Sequence, residues 1–188
     1  MNSLSLNTQG WVDQSLHTHS PNFDARPEQC CIDMIVIHNI SLPPKQYGGQ
    51  GIIQLFTNQL DPNEHTYYAE IYTRKVSAHF LIRRDGSLLQ FVSCLARAWH
   101  AGVSSWQNRE RCNDFSVGIE LEGSDEDAFE QAQYATLTSL IALLKQHFPI
   151  QHIVGHSEIA PGRKTDPGPY FDWQHITKMA SNQDAPSS

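Results

Sequence analysis

Apolar runs alternate with polar, turn-rich segments from about residue 30 onward. Residues 31–38 (CIDMIVIH) are almost continuously apolar and partly β-branched, which predicts a buried strand. Residues 116–122 (SVGIELE) alternate between apolar and polar, which predicts a strand with Val117, Ile119 and Leu121 on one face. Residues 151–156 predict another short strand, which leads into a Gly/Pro-rich loop.

Helices and a hairpin are predicted between these strands. Residues 52–60 favour a short helix, and residues 127–148 carry an apolar stripe at helical spacing. Residues 76–92 predict a β-hairpin that turns near Asp85 and Gly86, because this pair tolerates the positive φ of a tight turn. Strands mixed with helices indicate an α/β (α+β mixed) fold, in which helices flank a central mixed β-sheet.

Length and composition fit a single folded domain. We place it at residues 8–178 of the 188-residue chain, with residues 1–7 and 179–188 as flexible termini. A hydrophobic fraction of 39% excludes a largely disordered chain. The net charge of −7 argues against binding to nucleic acid or to an anionic membrane. Neither a signal peptide nor a transmembrane run is recognisable, so we expect a cytoplasmic protein, and we expect it to be a monomer.

Ten histidines are more than this composition requires, which points to metal or acid–base chemistry. His38 ends the predicted strand 31–38, and His156 ends the strand 151–156. Asp166 follows His156 by ten residues in the loop GRKTDPGP. Two His and one carboxylate with an open position are a common catalytic zinc arrangement. Spacing alone leaves the pairing of His38 with His156 open, and a lone strand-end His is more often merely hydrogen-bonded.

Two charged residues near these motifs are candidates for catalysis. Glu120 lies on the polar face of the predicted strand 116–122 and could serve as a general base. Glu122 shares that face, and solvent exposure is its simpler interpretation. Lys164, two residues before Asp166, is either a solvated loop residue or a cation that stabilises an oxyanion.

The remaining candidates have ordinary structural alternatives. His79 and His100 are possible ligands by residue type, although a His within a hairpin is more often structural. Trp99 could stack on a sugar ring, but residue type alone favours the core.

Five motifs taken together closely resemble the cytoplasmic 1,6-anhydro-N-acetylmuramyl-L-alanine amidases. This group belongs to the zinc N-acetylmuramoyl-L-alanine amidases, whose fold is shared by peptidoglycan recognition proteins. The resemblance runs from about Gly10 to Trp173. The motifs are VIHNISLPP (36–44), VSAHFLIRRDG (76–86), RAWHAGVS (97–104), RERCNDFSVGIELEG (109–123) and GHSEIAPGRKTDPGPYFDW (155–173).

The resemblance implies a zinc-dependent hydrolase that acts on a small-molecule substrate in peptidoglycan recycling. That substrate is a 1,6-anhydro-muropeptide, cleaved between its lactyl group and L-alanine. The family carries Arg immediately before VSAH, where this chain has Lys75, and Arg74 is a neighbouring cation. The implied residues are His38, His156 and Asp166 for Zn²⁺, Glu120 and Lys164 for catalysis, and Asn39, Lys75, Trp99, Arg111 and Ala160 for substrate binding.

Two other functions stay open. One is an amidase that acts on intact peptidoglycan, which would require export. The other is a non-catalytic peptidoglycan-binding module, which would typically lack part of the metal-binding set. Bound zinc together with hydrolysis would separate the amidases from the binding module.

Overall fold

A six-stranded mixed β-sheet forms the centre of the structure, a computed structural model that describes residues 4–176. Within residues 4–176, two small two-stranded ribbons and several helices accompany this sheet. The strands are β1 (Leu16–His17), β2 (Phe23–Asp24), β3 (Met34–Ile40), β4 (Phe80–Ile82), β5 (Leu88–Gln90), β6 (Arg97–Ala98), β7 (Ser105–Trp106), β8 (Arg109–Glu110), β9 (Ser116–Glu122) and β10 (His152–Gly155), and the helices are α1 (Gly51–Phe56), α2 (Thr66–Ile71), α3 (Gln131–His147) and α4 (His156–Ile159).

The strand order in the main sheet is β1-β5-β4-β9-β3-β10. Strands β4, β9, β3 and β10 are mutually parallel, whereas β5 runs antiparallel to β4 and pairs in parallel with β1. This mixture confirms the predicted mixed sheet. The carboxyl ends of β9, β3 and β10 therefore meet at one edge of the sheet, which is where open α/β sheets usually carry their sites.

The alternation along β3 and β9 divides the two faces of the sheet. Ile35 and Ile37 of β3 pack on the side of α3, whereas Met34 and Val36 pack on the opposite side. In β9, Val117, Ile119 and Leu121 all join the α3 side, as the alternating sequence predicts. Strand β3 lies two to three residues later than the predicted strand, so His38 falls inside it rather than at its end.

Helix α3 covers one face of the sheet with its apolar stripe, including the buried Leu137 and Leu140. It begins at Gln131, four residues after the predicted start, where the Glu130 and Gln133 side chains form a capping box. The preceding residues form a loop instead, in which the Ser124 hydroxyl donates a hydrogen bond to Asp127. Polar side chains at this point compete with helical backbone bonding.

The predicted hairpin is confirmed. Ile82 of β4 pairs with Leu88 of β5, and Gly86 in the turn has a φ of +83°. A Cβ on Gly86 would also lie 2.8 Å from the Ala132 carbonyl oxygen, so the turn can pack closely against α3. The helix predicted at 52–60 is present as α1, although it ends at Phe56. Helix α2 was not predicted.

The face opposite α3 carries two separate apolar clusters. One includes Leu81 and Leu89 with α1 and α2, and the other includes Met34 and Val36 with Ile159 of α4. Strand β9 runs between them and presents polar or small side chains to this face. The gap between the two clusters is the floor of a cleft.

Contacts with the core begin before the predicted start of the domain. Leu4 and Leu6 pack against the cluster under α3, so contacts with the core already begin before residue 8. Residues 177 and 178 lie outside the described part of the chain. The domain bounds 8–178 therefore stay a prediction. Within residues 4–176, no helix has both the length and the apolar character that crossing a membrane requires.

Candidate active site

Three neighbouring parallel strands bring the candidate side chains to one edge of the sheet. His38 of β3 pairs in register with Glu120 of β9. On the other side of β3, Gly155 pairs with Ile37, so His156 follows directly at the first position of α4. Residues far apart in sequence become neighbours because parallel strands share their direction.

The two His and the Asp converge on one point. The Nδ1 atoms of His38 and His156 lie 3.0 Å apart, and Asp166 Oδ2 lies 3.0 Å from the first and 3.1 Å from the second. All three residues are buried. Four-coordinate Zn²⁺ with bonds of about 2.0 Å places its ligands about 3.3 Å apart, so the size and donor chemistry of this group fit zinc.

A backbone carbonyl orients His156. Its Nε2 lies 3.0 Å from the Ala101 carbonyl oxygen, which can only accept a hydrogen bond. The Nε2 therefore carries the proton of the neutral ring, and Nδ1 is left with a free lone pair that faces His38 and Asp166. This arrangement is typical of metal-binding histidines.

The loop after α4 presents Asp166 to the two His. The Asp166 carbonyl accepts a hydrogen bond from the Ser157 backbone N–H at 2.9 Å. Gly155 allows this approach, because a Cβ there would lie 2.7 Å from Pro167 Cδ. Burial alone would raise the pKa of Asp166, but its close contacts with the rings of His156 and His38 hold that pKa well below its usual range. Asp166 is therefore a carboxylate at neutral pH.

Burial also sets the charge state of the histidines around the site. It is the main reason that the pKa of His38 falls to about 4, despite the opposing interaction with the Asp166 carboxylate. It lowers the pKa of His100 well below the usual value. Both rings are neutral at pH 7, which leaves a nitrogen lone pair available on each.

Glu120 is the one buried carboxylate of the described site with an unused oxygen. Its side chain lies on the cleft side of β9, the residue is only 8% exposed, and Oε2 has no hydrogen-bond partner within residues 4–176. Burial raises the pKa of Glu120 well above its usual value, and the nearby Asp166 charge raises it further, whereas Lys164 lowers it. An unpartnered buried carboxylate of this kind is typical of a catalytic acid or base.

Glu122 differs from the solvent-exposed residue that its pattern suggested. It is 1% exposed and accepts a hydrogen bond from the Gly48 backbone N–H at 2.7 Å. Arg83 forms an ion pair with the same carboxylate at 3.2 Å. Glu122 therefore anchors the loop before α1 rather than taking part in the chemistry.

Lys164 lies at the mouth of the site. Its side chain is exposed and lines a cleft of about 330 Å³, together with the metal-binding group, Glu120 and Asn39. Its charge acts on Glu120 and His38. The Asn39 amide donates hydrogen bonds to Asp125 Oδ1 at 2.6 Å and to the Pro167 carbonyl at 3.0 Å, which fixes that wall of the cleft.

The five residues predicted to bind substrate do not lie together: two line the cleft, two line a second recess, and one lines neither. Asn39 and Trp99 line the cleft, and Trp99 is half-buried there rather than in the core. Arg111 and Ala160 line a second recess of about 560 Å³ instead. Lys75 is exposed and is not among the residues that line the cleft.

Two residues that were not predicted to belong to the site, Arg74 and His100, line the cleft. Arg74 lines the cleft, and its guanidinium makes no hydrogen bond or ion pair with any residue in the range 4–176. His100 also lines it and contacts His38 through their ring nitrogens at 2.9 Å. The signal for His100 was its residue type, but nothing in its spacing indicates a contact with residue 38.

Comparison with known proteins identifies the family. The N-acetylmuramoyl-L-alanine amidase family matches residues 27–169, which is more than half of the chain. The chain is 52% identical over 175 residues to the 1,6-anhydro-N-acetylmuramyl-L-alanine amidase AmpD of Citrobacter freundii, covering 92% of this chain and 94% of that protein. The chain belongs to the AmpD family of amidases.

Solved structures agree with this assignment. A crystal structure of a selenomethionine AmpD derivative matches with a TM-score of 0.91 and 50% identity, over 93% of this chain and 99% of that one. The amidase AmiD from E. coli, solved with the substrate anhydro-N-acetylmuramic acid-L-Ala-D-γ-Glu-L-Lys, matches with a TM-score of 0.60 and 25% identity. That match covers 96% of this chain and 66% of AmiD. The amidase fold and hydrolase class expected from the motifs are confirmed.

Proposed function

We propose that this chain hydrolyses the amide bond between the lactyl group of 1,6-anhydro-N-acetylmuramic acid and L-alanine in muropeptides, with Zn²⁺ held by His38, His156 and Asp166. The observation that carries the proposal is the convergence of these three ligand atoms beside the unpartnered Oε2 of Glu120. The AmpD relatives, about 50% identical over nearly their whole length, support the substrate.

Bound zinc would supply a Lewis acid and lower the pKa of water from about 15.7 toward about 7. Glu120 would accept a proton from the attacking water as the oxygen forms its bond to the lactyl carbonyl carbon. It would then donate that proton to the alanine nitrogen as the C–N bond breaks. The carboxylic acid that forms then passes its proton to the released amine, so the products are a lactyl carboxylate and a peptide with an ammonium terminus, and atoms and protons balance.

Lys164 would stabilise the negative charge that develops on the carbonyl oxygen. Lys164 lines the cleft, and its charge already acts on Glu120. An electrostatic donor in such a position contributes about 10²–10³ in rate. Asn39 and Trp99 would contact the substrate in the cleft, and Arg111 and Ala160 would contact it in the second recess.

Mass spectrometry of a 1,6-anhydro-N-acetylmuramyl tripeptide tests the function. We expect free anhydro-sugar and tripeptide after incubation with zinc-loaded protein, and intact substrate after chelation. A parallel arm with intact peptidoglycan tests the amidase that acts on the cell wall. Zinc binding with no cleavage in either arm would contradict the proposal and favour the binding module.

The cellular setting forms part of the proposal. We propose that the chain acts as a cytoplasmic monomer in peptidoglycan recycling, and the AmpD relatives support the recycling part. Cell fractionation and light scattering of the purified protein test the two parts separately. Activity confined to an exported fraction, or a stable dimer, would contradict them.

A further inference from the structure

A chain of hydrogen bonds extends from His38 away from the proposed metal site. His38 Nε2 lies 2.9 Å from His100 Nδ1, and His100 Nε2 lies 3.2 Å from Ser116 Oγ. The Ser116 hydroxyl in turn donates to the Cys112 carbonyl oxygen at 2.6 Å. Neither His100 nor Ser116 has a part in the proposed chemistry.

The carbonyl at the end of this series of hydrogen bonds determines which atom carries the proton at each step. The Cys112 carbonyl only accepts, so the single Ser116 hydroxyl proton points to it. Ser116 Oγ must then accept from His100 Nε2, and the neutral His100 ring keeps a bare Nδ1. That Nδ1 accepts from His38 Nε2, which leaves His38 Nδ1 bare and facing His156 and Asp166.

His38 needs this constraint more than His156 does. His156 Nε2 bonds directly to the Ala101 carbonyl, which fixes its tautomer. Among the described residues 4–176, no carbonyl bonds to His38 Nε2, and His38 Nδ1 lies 3.0 Å from the Asp166 carboxylate. Without an acceptor at Nε2, the His38 proton would move to Nδ1 and bond to Asp166. That tautomer cannot bind a metal through Nδ1.

The backbone around His100 holds its ring in place. The His100 and Ala101 N–H groups both donate to Asn113 Oδ1, at 3.1 and 2.8 Å. The ring packs directly on Gly118 of β9, where a Cβ would lie 2.4 Å from His100 Cγ. Only glycine leaves room for the ring at this point.

We propose that His100, anchored by Ser116, is a positioning residue that keeps the His38 proton on Nε2 and so leaves Nδ1 free to bind the metal. The metal part of this inference rests on the proposed function. The tautomer of His38 is a property of the metal-free protein and can be tested independently of it.

Two measurements test the proposal on full-length protein. Long-range ¹H–¹⁵N spectra of the metal-free protein report which His38 nitrogen carries the proton, and competition with a chelator gives the zinc Kd. We expect the Nε2 proton in the unmodified protein. In His100→Phe, which keeps an aromatic ring but loses both nitrogens, we expect the proton on Nδ1 and about 10–100-fold weaker zinc binding.

Three further variants separate positioning from general damage. His100→Asn keeps an acceptor near Nδ1 and should recover part of the zinc affinity. Ser116→Ala should shift the tautomer partway even if His100→Phe fails to fold. Ser139→Ala removes a hydroxyl that donates to the Ala135 carbonyl on α3, so it should change neither readout.

Unchanged tautomer and zinc Kd in His100→Phe and Ser116→Ala would overturn the proposal. A Nδ1 proton in the unmodified protein would overturn it as well. Failure of the unmodified protein to bind zinc would instead contradict the proposed function, while the tautomer spectra would still decide the role of His100.

Discussion

Glu120→Gln should make the metal-free protein more stable at neutral pH while abolishing its activity. Glu120 is buried, its Oε2 has no partner within residues 4–176, and the Asp166 carboxylate is close enough to raise its pKa. Gln has nearly the same shape but carries no charge. The substitution therefore removes the cost of ionising a buried, unpaired group.

The expected gain is about 1–3 kcal/mol at pH 7, since that is the typical cost of a buried polar group without a partner. With an m value of about 2 kcal/mol/M in urea, the unfolding midpoint should rise by roughly 0.5–1.5 M. Loss of the proposed general base should meanwhile lower the rate of hydrolysis by about 10²–10⁴.

The stability gained by Glu120→Gln should increase as the pH rises from 4 to 8. The folded-state pKa of Glu120 lies above its unfolded value, so the unfolded chain releases the Glu120 proton more readily than the folded protein does. The resulting penalty on folding is absent below the unfolded pKa of about 4.3, grows as the pH rises above that value, and levels off once the pH exceeds the folded pKa. The two proteins should therefore unfold alike near pH 4 and differ at pH 7–8.

Urea unfolding after chelation, followed by circular dichroism at both pH values, measures this difference. Glu28→Gln is the matched control, because Glu28 is exposed and its loss should change stability by less than about 0.5 kcal/mol. Bound zinc should reduce the advantage of Gln, since a nearby dication stabilises the carboxylate. Equal or lower stability of Glu120→Gln at pH 7–8 would refute the reasoning, because the carboxylate would then be hydrated or paired.

Three further predictions concern the other parts of the site. His156→Ala should lose the metal itself, measured by elemental analysis after dialysis, and a stoichiometric zinc content would show that the ligand set is wrong. Lys164→Ala should keep its zinc and fold normally but lose about 10²–10³ in kcat, so a near-normal kcat would remove Lys164 from the mechanism. Arg74→Ala should raise KM for a muropeptide with free peptide carboxylates more than Lys75→Ala does, because the Arg74 side chain lines the cleft. Equal effects of the two substitutions on KM would contradict that assignment.

Local sequence patterns predicted the strands and the hairpin that carry the site, but not which strands are neighbours in the sheet. The apolar run and the alternating segment each became a central strand, and the hairpin turned where Asp85 and Gly86 place it. His38 and His156 are 118 residues apart, however, and no local pattern shows that β3 and β10 are neighbours. The five motifs supplied that pairing, through resemblance rather than periodicity.

Other features escaped sequence reasoning because they depend on what surrounds a residue. Arg74 lines the cleft and Lys75 does not, although the sequence shows both simply as neighbouring cations. His100 has a common structural alternative at the level of residue type. Its role emerges only when the acceptor at the end of its hydrogen-bond chain is known.

The polar face of β9 shows why an alternating apolar and polar pattern is easily misjudged. Alternating strands usually turn their polar side chains to water, but here Ser116, Glu120 and Glu122 are all buried. Ser116 anchors the bond chain to His38, Glu120 faces the ligand group, and Glu122 holds the loop at Gly48. Gly118 leaves the space that the His100 ring fills. Burying polar groups is costly. The buried polar face of β9 is therefore more informative about function than its apolar face, which fixes the place of the strand in the fold.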